Sequence, residues 1–159
     1  MERRPEPIPE GFHSLTPFLV VHDGSGAIEF YKHAFGAVEE SRLAMPDGKI
    51  GHAALTVGDA KLMLSDEFEY NTCRSPRALG GSTVTVHLYV ADVDAAVARA
   101  VAAGATVTMP VADQLWGDRL GTVRDPFGHS WSIATHIRDM SQDEITAAFK
   151  AALARRSAG

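Results

Sequence analysis

The second half of this chain repeats the plan of its first half. Leu19-Val20-Val21-His22-Asp23, a helical stretch and Phe35-Gly36-Ala37 have a counterpart in Leu88-Tyr89-Val90-Ala91-Asp92, a second helical stretch and Ala103-Gly104-Ala105. The offset is 69 residues at the strand (88 − 19) and 68 at the glycine (104 − 36). Two matched units in a short chain predict two equivalent modules around a shared cleft. Functional residues are therefore expected at positions that the repeat relates.

Composition limits the class of protein. With 159 residues, 45% hydrophobic and 22% charged, the chain fits one ordinary globular domain. A net charge of −5 and the lack of a basic stripe argue against a nucleic-acid partner. The single cysteine, Cys73, favours a reducing compartment, and no signal peptide or membrane-length apolar run is evident. We expect a cytoplasmic protein that does not bind membranes.

Strand alternation and turn signals predict the domain organisation. We expect an α+β fold in which two βαβββ modules form a curved mixed sheet around a cleft, with an additional C-terminal helix. The predicted segments are a Pro-rich tail (1–11), a domain (12–136) with modules 12–66 and 82–136 joined by linker 67–81, and a helical extension (137–159).

The C-terminal extension carries a helix-start signal. Ser141-Gln142-Asp143-Glu144 is a capping box that predicts a helix to about Ala154. Ile145, Phe149 and Leu153 would form an apolar stripe along this helix, which needs a partner surface. Open modules also leave apolar sheet edges, so we predict a homodimer with twofold symmetry.

Several motifs resemble one known superfamily. The helix ending Phe30-Tyr31…Phe35-Gly36-Ala37 and the turn Asp125-Pro126-x-Gly128 are similar to those of the glyoxalase, bleomycin-resistance and extradiol dioxygenase group (vicinal oxygen chelate). The segments Ile50-Gly51-His52-Ala53, Leu62-Met63-Leu64-Ser65-Asp66 and Trp116-Gly117-Asp118-Arg119 most resemble its PhnB-like branch. The resemblance covers roughly His13 to His136 and implies the paired-module fold.

The resemblance also implies positions for a metal. Enzymes of this group typically hold a divalent metal with His and Glu side chains from the first and last strands of each module. The corresponding positions here are Thr16, Leu64, Thr85 and Ser132, none of them a usual ligand. Two residues later in the chain, the four positions would be Phe18, Asp66, His87 and Ala134. Two residues earlier, they would be Ser14, Leu62, Thr83 and Ser130. We therefore predict no metal and no other cofactor, with a divalent metal as the alternative.

Candidate site residues lie on the predicted strands. In Thr83–Val90, alternation turns His87 and Tyr89 toward the cleft, where His87 is either a structural hydrogen-bond partner or a ligand-binding or acid–base group. His52 is either packed or catalytic. Asp66 ends its strand, where it either caps a turn or takes part in the site.

A connection in the second module supplies further candidates. Trp116 and Arg119 belong either to a simple hairpin or to a lid, in which Trp116 stacks on a flat ligand and Arg119 holds an anion. The predicted ligand-binding set is therefore His52, Asp66, His87, Tyr89, Trp116 and Arg119. His22 and His129 are at element ends and are expected to be solvated.

Two classes of function fit these residues. One is a metal-free protein that binds a small, partly aromatic or anionic molecule in the cleft. The other is a lyase or isomerase that uses His87, with Asp66 or His52 as its partner or with a metal. A small-molecule-sensing or structural dimer is a third possibility. The lack of metal ligands favours the binding protein.

Overall fold

The computed structural model describes residues 5–157, and its elements follow the repeat. The first module contains β1 (Phe18–Val21), α1 (Gly24–Phe35), β2 (Val38–Ala44), β3 (Ile50–Val57) and β4 (Ala60–Asp66). The second contains β5 (Thr85–Tyr89), α3 (Val93–Ala102), β6 (Thr106–Asp113), β7 (Asp118–Arg124) and β8 (Ser130–His136). The short helix α2 (Pro76–Leu79) lies between the modules, and α4 (Gln142–Ser157) follows them. No helix within these residues is long and apolar enough to cross a membrane.

Each module forms its own four-stranded mixed sheet. The strand orders are β1-β4-β3-β2 and β5-β8-β7-β6, with β1–β4 and β5–β8 parallel and the other pairs antiparallel. The α+β fold of two βαβββ modules with a C-terminal helix is thus confirmed. No ladder joins the two sheets within residues 5–157, so the mixed sheet surface consists of two four-stranded halves.

Side-chain caps explain where the two long module helices begin. The Asp23 carboxylate accepts a hydrogen bond from Gly26 N at 2.9 Å, and that of Asp92 accepts one from Ala95 N at 3.0 Å. Each bond satisfies an N–H group that a helix start leaves without an internal partner. The repeated aspartate therefore sets the start of each helix.

Both modules share one hydrophobic core. Buried side chains of α1, α3 and one face of each sheet form a single cluster, in which Tyr31 and Trp131 are the largest buried residues. One face of each sheet is therefore turned toward this common core, and the other is turned away from it. We call the outward faces the first open face, which includes Phe18 and His52, and the second open face, which includes His87 and Ser132.

A buried carboxylate links the modules inside the core. Asp125 Oδ2 accepts hydrogen bonds from Tyr31 Oη (2.6 Å) and Trp131 Nε1 (2.9 Å), and Oδ1 accepts from Phe127 N and His129 N (both 2.9 Å). We call these five residues the Asp125 cluster. Burial, followed by the charge of Asp125, raises the pKa of Tyr31 well above its usual value. The cluster ties α1 of the first module to the β7–β8 turn of the second.

The C-terminal helix begins as its capping box predicts. Glu144 N donates to Ser141 Oγ (3.3 Å), and Ser141 N donates to Glu144 Oε2 (2.7 Å). The apolar stripe remains uncovered: Phe149 is 57% exposed, Leu153 is also exposed, and α4 has no buried residue among those described. This helix therefore carries apolar surface that its own chain does not bury.

Candidate functional site

His87 lies in the middle of β5, the strand at one edge of the second open face. It pairs across the sheet with Ser132, and its Nδ1 lies 3.0 Å from Ser132 Oγ. Its ring is 4.6 Å from that of Tyr89, at 76° between the planes. The alternation seen in the sequence holds here, because Val86 and Leu88 pack against the core from the other face. With Nδ1 beside Ser132, Nε2 is the ring nitrogen that can meet a ligand.

A buried carboxylate organises the aromatic end of this face. Asp118, only 3% exposed, accepts hydrogen bonds at Oδ2 from Tyr89 Oη and Trp116 Nε1, both at 3.0 Å. Its Oδ1 accepts from His136 Nδ1 at 2.8 Å. We call these four residues the Asp118 cluster. One carboxylate therefore fixes the orientation of two aromatic rings and one imidazole.

The hydrogen bonds of the Asp118 cluster shift the pKa values of its members. Burial alone raises the pKa of Asp118, but the donors His136, Tyr89 and Trp116 outweigh it and lower the pKa overall. The Asp118 bond raises the pKa of Tyr89. The pKa of His136 is also raised, first by Asp118 and then by Asp139, whose Oδ1 is 2.9 Å from Nε2. The cluster thus favours an imidazolium paired with two carboxylates.

A cavity of about 430 Å³ lies beside the Asp118 cluster. Its lining includes all four members of the cluster, together with Asp139, Met140, Ser141 and Ile145 from the segment leading into α4. Tyr89 is 60% exposed and Trp116 is 41% exposed, so both rings offer open surface. Two oriented aromatic rings beside a polar group form the kind of surface on which a flat ligand stacks.

Arg119 does not line this cavity. The connection was expected to be a loop, but Asp118–Arg124 is strand β7, so adjacent side chains point to opposite faces. Arg119 bonds Asp94 at 2.7 and 2.9 Å and Asp113 at 2.8 Å, and these contacts raise its pKa. It therefore holds α3 and β6 on the side of β7 away from Asp118, while Trp116 remains at the cavity.

Asp66 does not line this cavity either. It is 5% exposed and lies on the core side of β4, where its carboxylate accepts hydrogen bonds from Gly24 N (2.8 Å) and Ile50 N (2.6 Å). A Cβ atom at Gly24 would lie 2.7 Å from Asp66 Oδ2, so this contact requires glycine. Of the two roles considered, the structure supports the cap: Asp66 joins the start of α1 to the start of β3.

His52 lies on the first open face, apart from His87. Its ring is 5.8 Å from that of Phe18, and its strand belongs to the first sheet. Since the two open faces both point away from the common core, one chain does not form the single continuous pocket expected for His52, His87 and Trp116. His52 and His87 can meet only if another surface brings the two faces together.

The donor set does not match the family's four-ligand metal site. Leu64 is fully buried on the core side, so the residue of β4 that faces outward is its neighbour Met63. The repeat relates the outward pair Phe18–Met63 to His87–Ser132, with offsets of 69 (87 − 18) and 69 (132 − 63). Only His87 is a common metal ligand. No group of three or more His, Cys, Asp or Glu residues suited to a metal occurs in the described part of the chain.

Sequence reasoning did not identify Asp118 and His136. The sequence of β8 contains a signal for His136, because alternation along a strand places it on the same face as Ser132, four residues earlier. Asp118 had no comparable signal, because it lay in a segment interpreted as a loop. Its importance follows from the pairing Asp118↔His136, a contact between strands.

Comparison with known proteins agrees with this architecture. Residues 11–133 match the family model of the Glyoxalase/Bleomycin resistance protein/Dioxygenase superfamily. The chain belongs to this superfamily. An uncharacterized protein from Mycobacterium tuberculosis H37Rv is 50% identical over 138 residues, covering 85% of this chain and 81% of that protein.

Two solved structures show the same fold. A gene product of Arabidopsis thaliana is 32% identical, with a TM-score of 0.63 over 77% of this chain and 98% of that chain. TioX from Micromonospora sp. ML1 is 29% identical, with a TM-score of 0.62 over 79% of this chain and 99% of that chain. The likeness covers both modules, and so supports the paired-module architecture as a family property.

Proposed function

We propose that this protein binds a small, partly aromatic molecule on its second open face, without the family's usual metal site. The Asp118 cluster is the observation that carries the proposal, because it holds Tyr89 and Trp116 in fixed orientations beside a cavity. Fixed rings lose little conformational freedom when a ligand stacks on them. Trp116-Gly117-Asp118-Arg119 also supports assignment to the PhnB-like branch, and the single cysteine supports a cytoplasmic location.

The ligand class can be tested with a library of small aromatic compounds screened by thermal shift. A hit should raise the melting temperature of the wild-type protein, since a ligand that binds the folded state stabilises it. For a hit, Trp116→Ala should raise Kd by about fivefold, because the lost aromatic contact is worth about 1 kcal/mol. Tyr70→Ala is the control, because Tyr70 is exposed and does not line the cavity. Equal affinity of Trp116→Ala and wild type would contradict the proposal.

A second function is supported by the geometry of His87. Ser132 holds Nδ1, which leaves Nε2 as a proton acceptor or donor for a lyase or isomerase reaction. His87→Ala separates the two functions when the same compounds are tested for turnover. An enzyme should lose about a hundredfold or more in rate with little change in affinity, whereas a binding protein should only lose affinity.

We propose that the functional unit is a homodimer. Both open faces carry exposed apolar side chains, among them Phe18 and Leu43 on the first and Tyr89 on the second, and α4 adds Phe149. A second copy could bring its first open face over the second open face of this chain and place His52 opposite His87. Such an arrangement would close the cleft that one chain leaves open.

We therefore expect twice the mass of one chain in light scattering at micromolar concentration. The double variant Phe149→Ser and Leu153→Ser should weaken the dimer if α4 packs across the partner, since both side chains lose apolar area that dimerisation would bury. Lys150→Ser, a substitution on the same helix outside the stripe, is the control. A monomeric wild-type protein would contradict the proposed assembly.

A further inference from the structure

A second cavity lies where the two modules and the linker meet. It has a volume of about 520 Å³, and the polar side chains that line it include His22, Arg77, Ser82, Arg124 and Ser130. We call it the junction cavity. Arg124 pairs with Ser130 at one end of β7–β8, whereas Asp118 pairs with His136 at the other end. Six residues of strand separate the two ends, or about 20 Å, so the junction cavity is distinct from the Asp118 cluster.

Two arginines of this cavity have no carboxylate partner. Arg42, Arg119 and Arg138 each lie within 4.0 Å of an acidic side chain. Neither Arg77 nor Arg124 does so among the residues that the structure describes. In a chain of net charge −5, two unpaired guanidinium groups at one cavity concentrate positive charge where the rest of the molecule is acidic. An anion bound in the cavity would be attracted by both charges.

The one acidic residue lining the cavity does not supply that anion. The carboxylate of Asp125 is 3% exposed and already accepts the four hydrogen bonds of the Asp125 cluster. These bonds direct it into the core, toward Tyr31 and Trp131. The Asp125 carboxylate is therefore not free to form an ion pair with Arg77 or Arg124.

His22 is an independent sign of incomplete hydrogen bonding here. Its Nδ1 is the one buried side-chain nitrogen or oxygen between residues 5 and 157 that has no hydrogen-bond partner. A buried polar atom without a partner lowers the free energy of unfolding by about 1–3 kcal/mol. Of the two histidines expected to be solvated, His22 is partly exposed with only its Nδ1 buried, whereas His129 is buried and donates from Nε2 to Val20 O at 3.0 Å. Because Nδ1 itself is inaccessible to solvent, the partly exposed remainder of the His22 ring is what lines the cavity.

The wall of the cavity is held in place by close packing. Gly128 has a φ of +93°, and a Cβ atom there would lie 2.8 Å from Pro76 Cβ, so the β7–β8 turn fits directly against α2. Ser75 begins α2 by accepting from Ala78 N at 3.3 Å, and its own N–H donates to Glu67 Oε2 at 2.7 Å. Arg77, which α2 carries, is thus attached to a fixed backbone.

We infer that the junction cavity binds a small oxyanion, either the phosphate or the carboxylate group of a small molecule. Arg77 from the linker and Arg124 from β7 would meet the anion with planar, always charged donors, the geometry best suited to carboxylate and phosphate oxygens. The hydroxyl groups of Ser82 and Ser130 would supply neutral donors. Because both modules and the linker contribute, a bound anion would also link these three parts of the chain.

Inorganic phosphate and citrate are the two probes, titrated separately into the full chain by isothermal calorimetry. The ionic strength should be about 0.01 M, where charges act over about 30 Å. We expect saturable binding of at least one probe to the wild-type protein, and the stronger of the two identifies the oxyanion class. Arg77→Ala and Arg124→Ala should each raise Kd by about tenfold or more, since each removes a charge-assisted contact. Arg77→Lys should lose less affinity than Arg77→Ala, because lysine keeps the positive charge.

Arg155→Ala is the matched control, because Arg155 is an exposed arginine in the last turn of α4. Its Kd should equal that of the wild type. Trp116→Ala should also leave phosphate or citrate binding unchanged, which separates this inference from the proposed aromatic site. The inference is overturned if neither probe binds saturably, or if Arg155→Ala weakens binding as much as Arg77→Ala and Arg124→Ala.

Discussion

Replacing Asp125 with alanine is expected to lower the free energy of unfolding by about 4 kcal/mol. The substitution removes the acceptor of Tyr31 Oη, Trp131 Nε1 and the backbone N–H groups of Phe127 and His129. Each buried donor left without a partner costs about 1–3 kcal/mol, and the four losses are not additive because the site can relax together. Urea unfolding monitored by circular dichroism measures the change.

Two further variants keep this prediction testable if Asp125→Ala does not fold. Tyr31→Phe removes only one of the four hydrogen bonds and should cost about 1–2 kcal/mol. Asp59→Ala, at the exposed β3–β4 turn of the first module, should stay within about 0.5 kcal/mol of the wild type. An Asp125→Ala protein as stable as Asp59→Ala would show that the cluster does not hold the modules together.

Replacing Asp118 with asparagine is expected to have the largest effect on ligand binding. An amide keeps the size of the carboxylate but removes its charge and replaces one accepting oxygen with a donor. Tyr89, Trp116 and His136 then compete for one oxygen, so the rings lose their fixed orientation. We expect Kd for an aromatic hit to rise by tenfold or more, which exceeds the loss from Trp116→Ala because both rings are affected. Isothermal calorimetry of Asp118→Asn and Trp116→Ala with the same aromatic hit measures the two Kd values.

The same variant should change how stability depends on pH. In the wild type the pKa of His136 is raised, so its contribution is complete below the usual histidine pKa and is lost as pH rises through the folded value. In Asp118→Asn the larger source of that shift is absent, and stability should vary less with pH above about 6.5. Asp139→Asn removes only the exposed partner and is the control with the smaller effect. Unchanged pH dependence in Asp118→Asn would contradict the role assigned to this pair.

The sequence predicted the fold well because the fold depends on patterns that are local. The strands Ile50–Val57 and Ser130–His136 are each a run of strand-forming residues bounded by turn signals, so the sequence alone indicates their bounds. The repeated aspartate and glycine marked both ends of α1. His87 was placed on the correct face for the same reason, since alternation alone determines it.

The site was predicted less well because its decisive contacts join distant parts of the chain. Asp118 and Arg119 are adjacent in sequence, and only the pairing of β7 with β8 shows that one faces His136 and the other faces Asp94. Asp66 illustrates the same difficulty, because its two backbone donors lie 42 and 16 residues away. A charged side chain at a strand end is equally compatible with a ligand site and a buried cap until those partners are known.

The Asp125 cluster also shows how the two halves of the repeat have become unequal. The first module joins β3 to β4 through residues 58 and 59, whereas the second joins β7 to β8 through residues 125 to 129, which include the aspartate. A chain built from two copies of the first module would therefore lack the carboxylate that holds Tyr31. For the same reason, a protomer that exchanged its first module with a neighbour would have to break the Tyr31–Asp125 bond within its own chain. The neighbour's Tyr31 would then form the same bond, so the longer turn requires a first module, from either chain, as the partner of the second module.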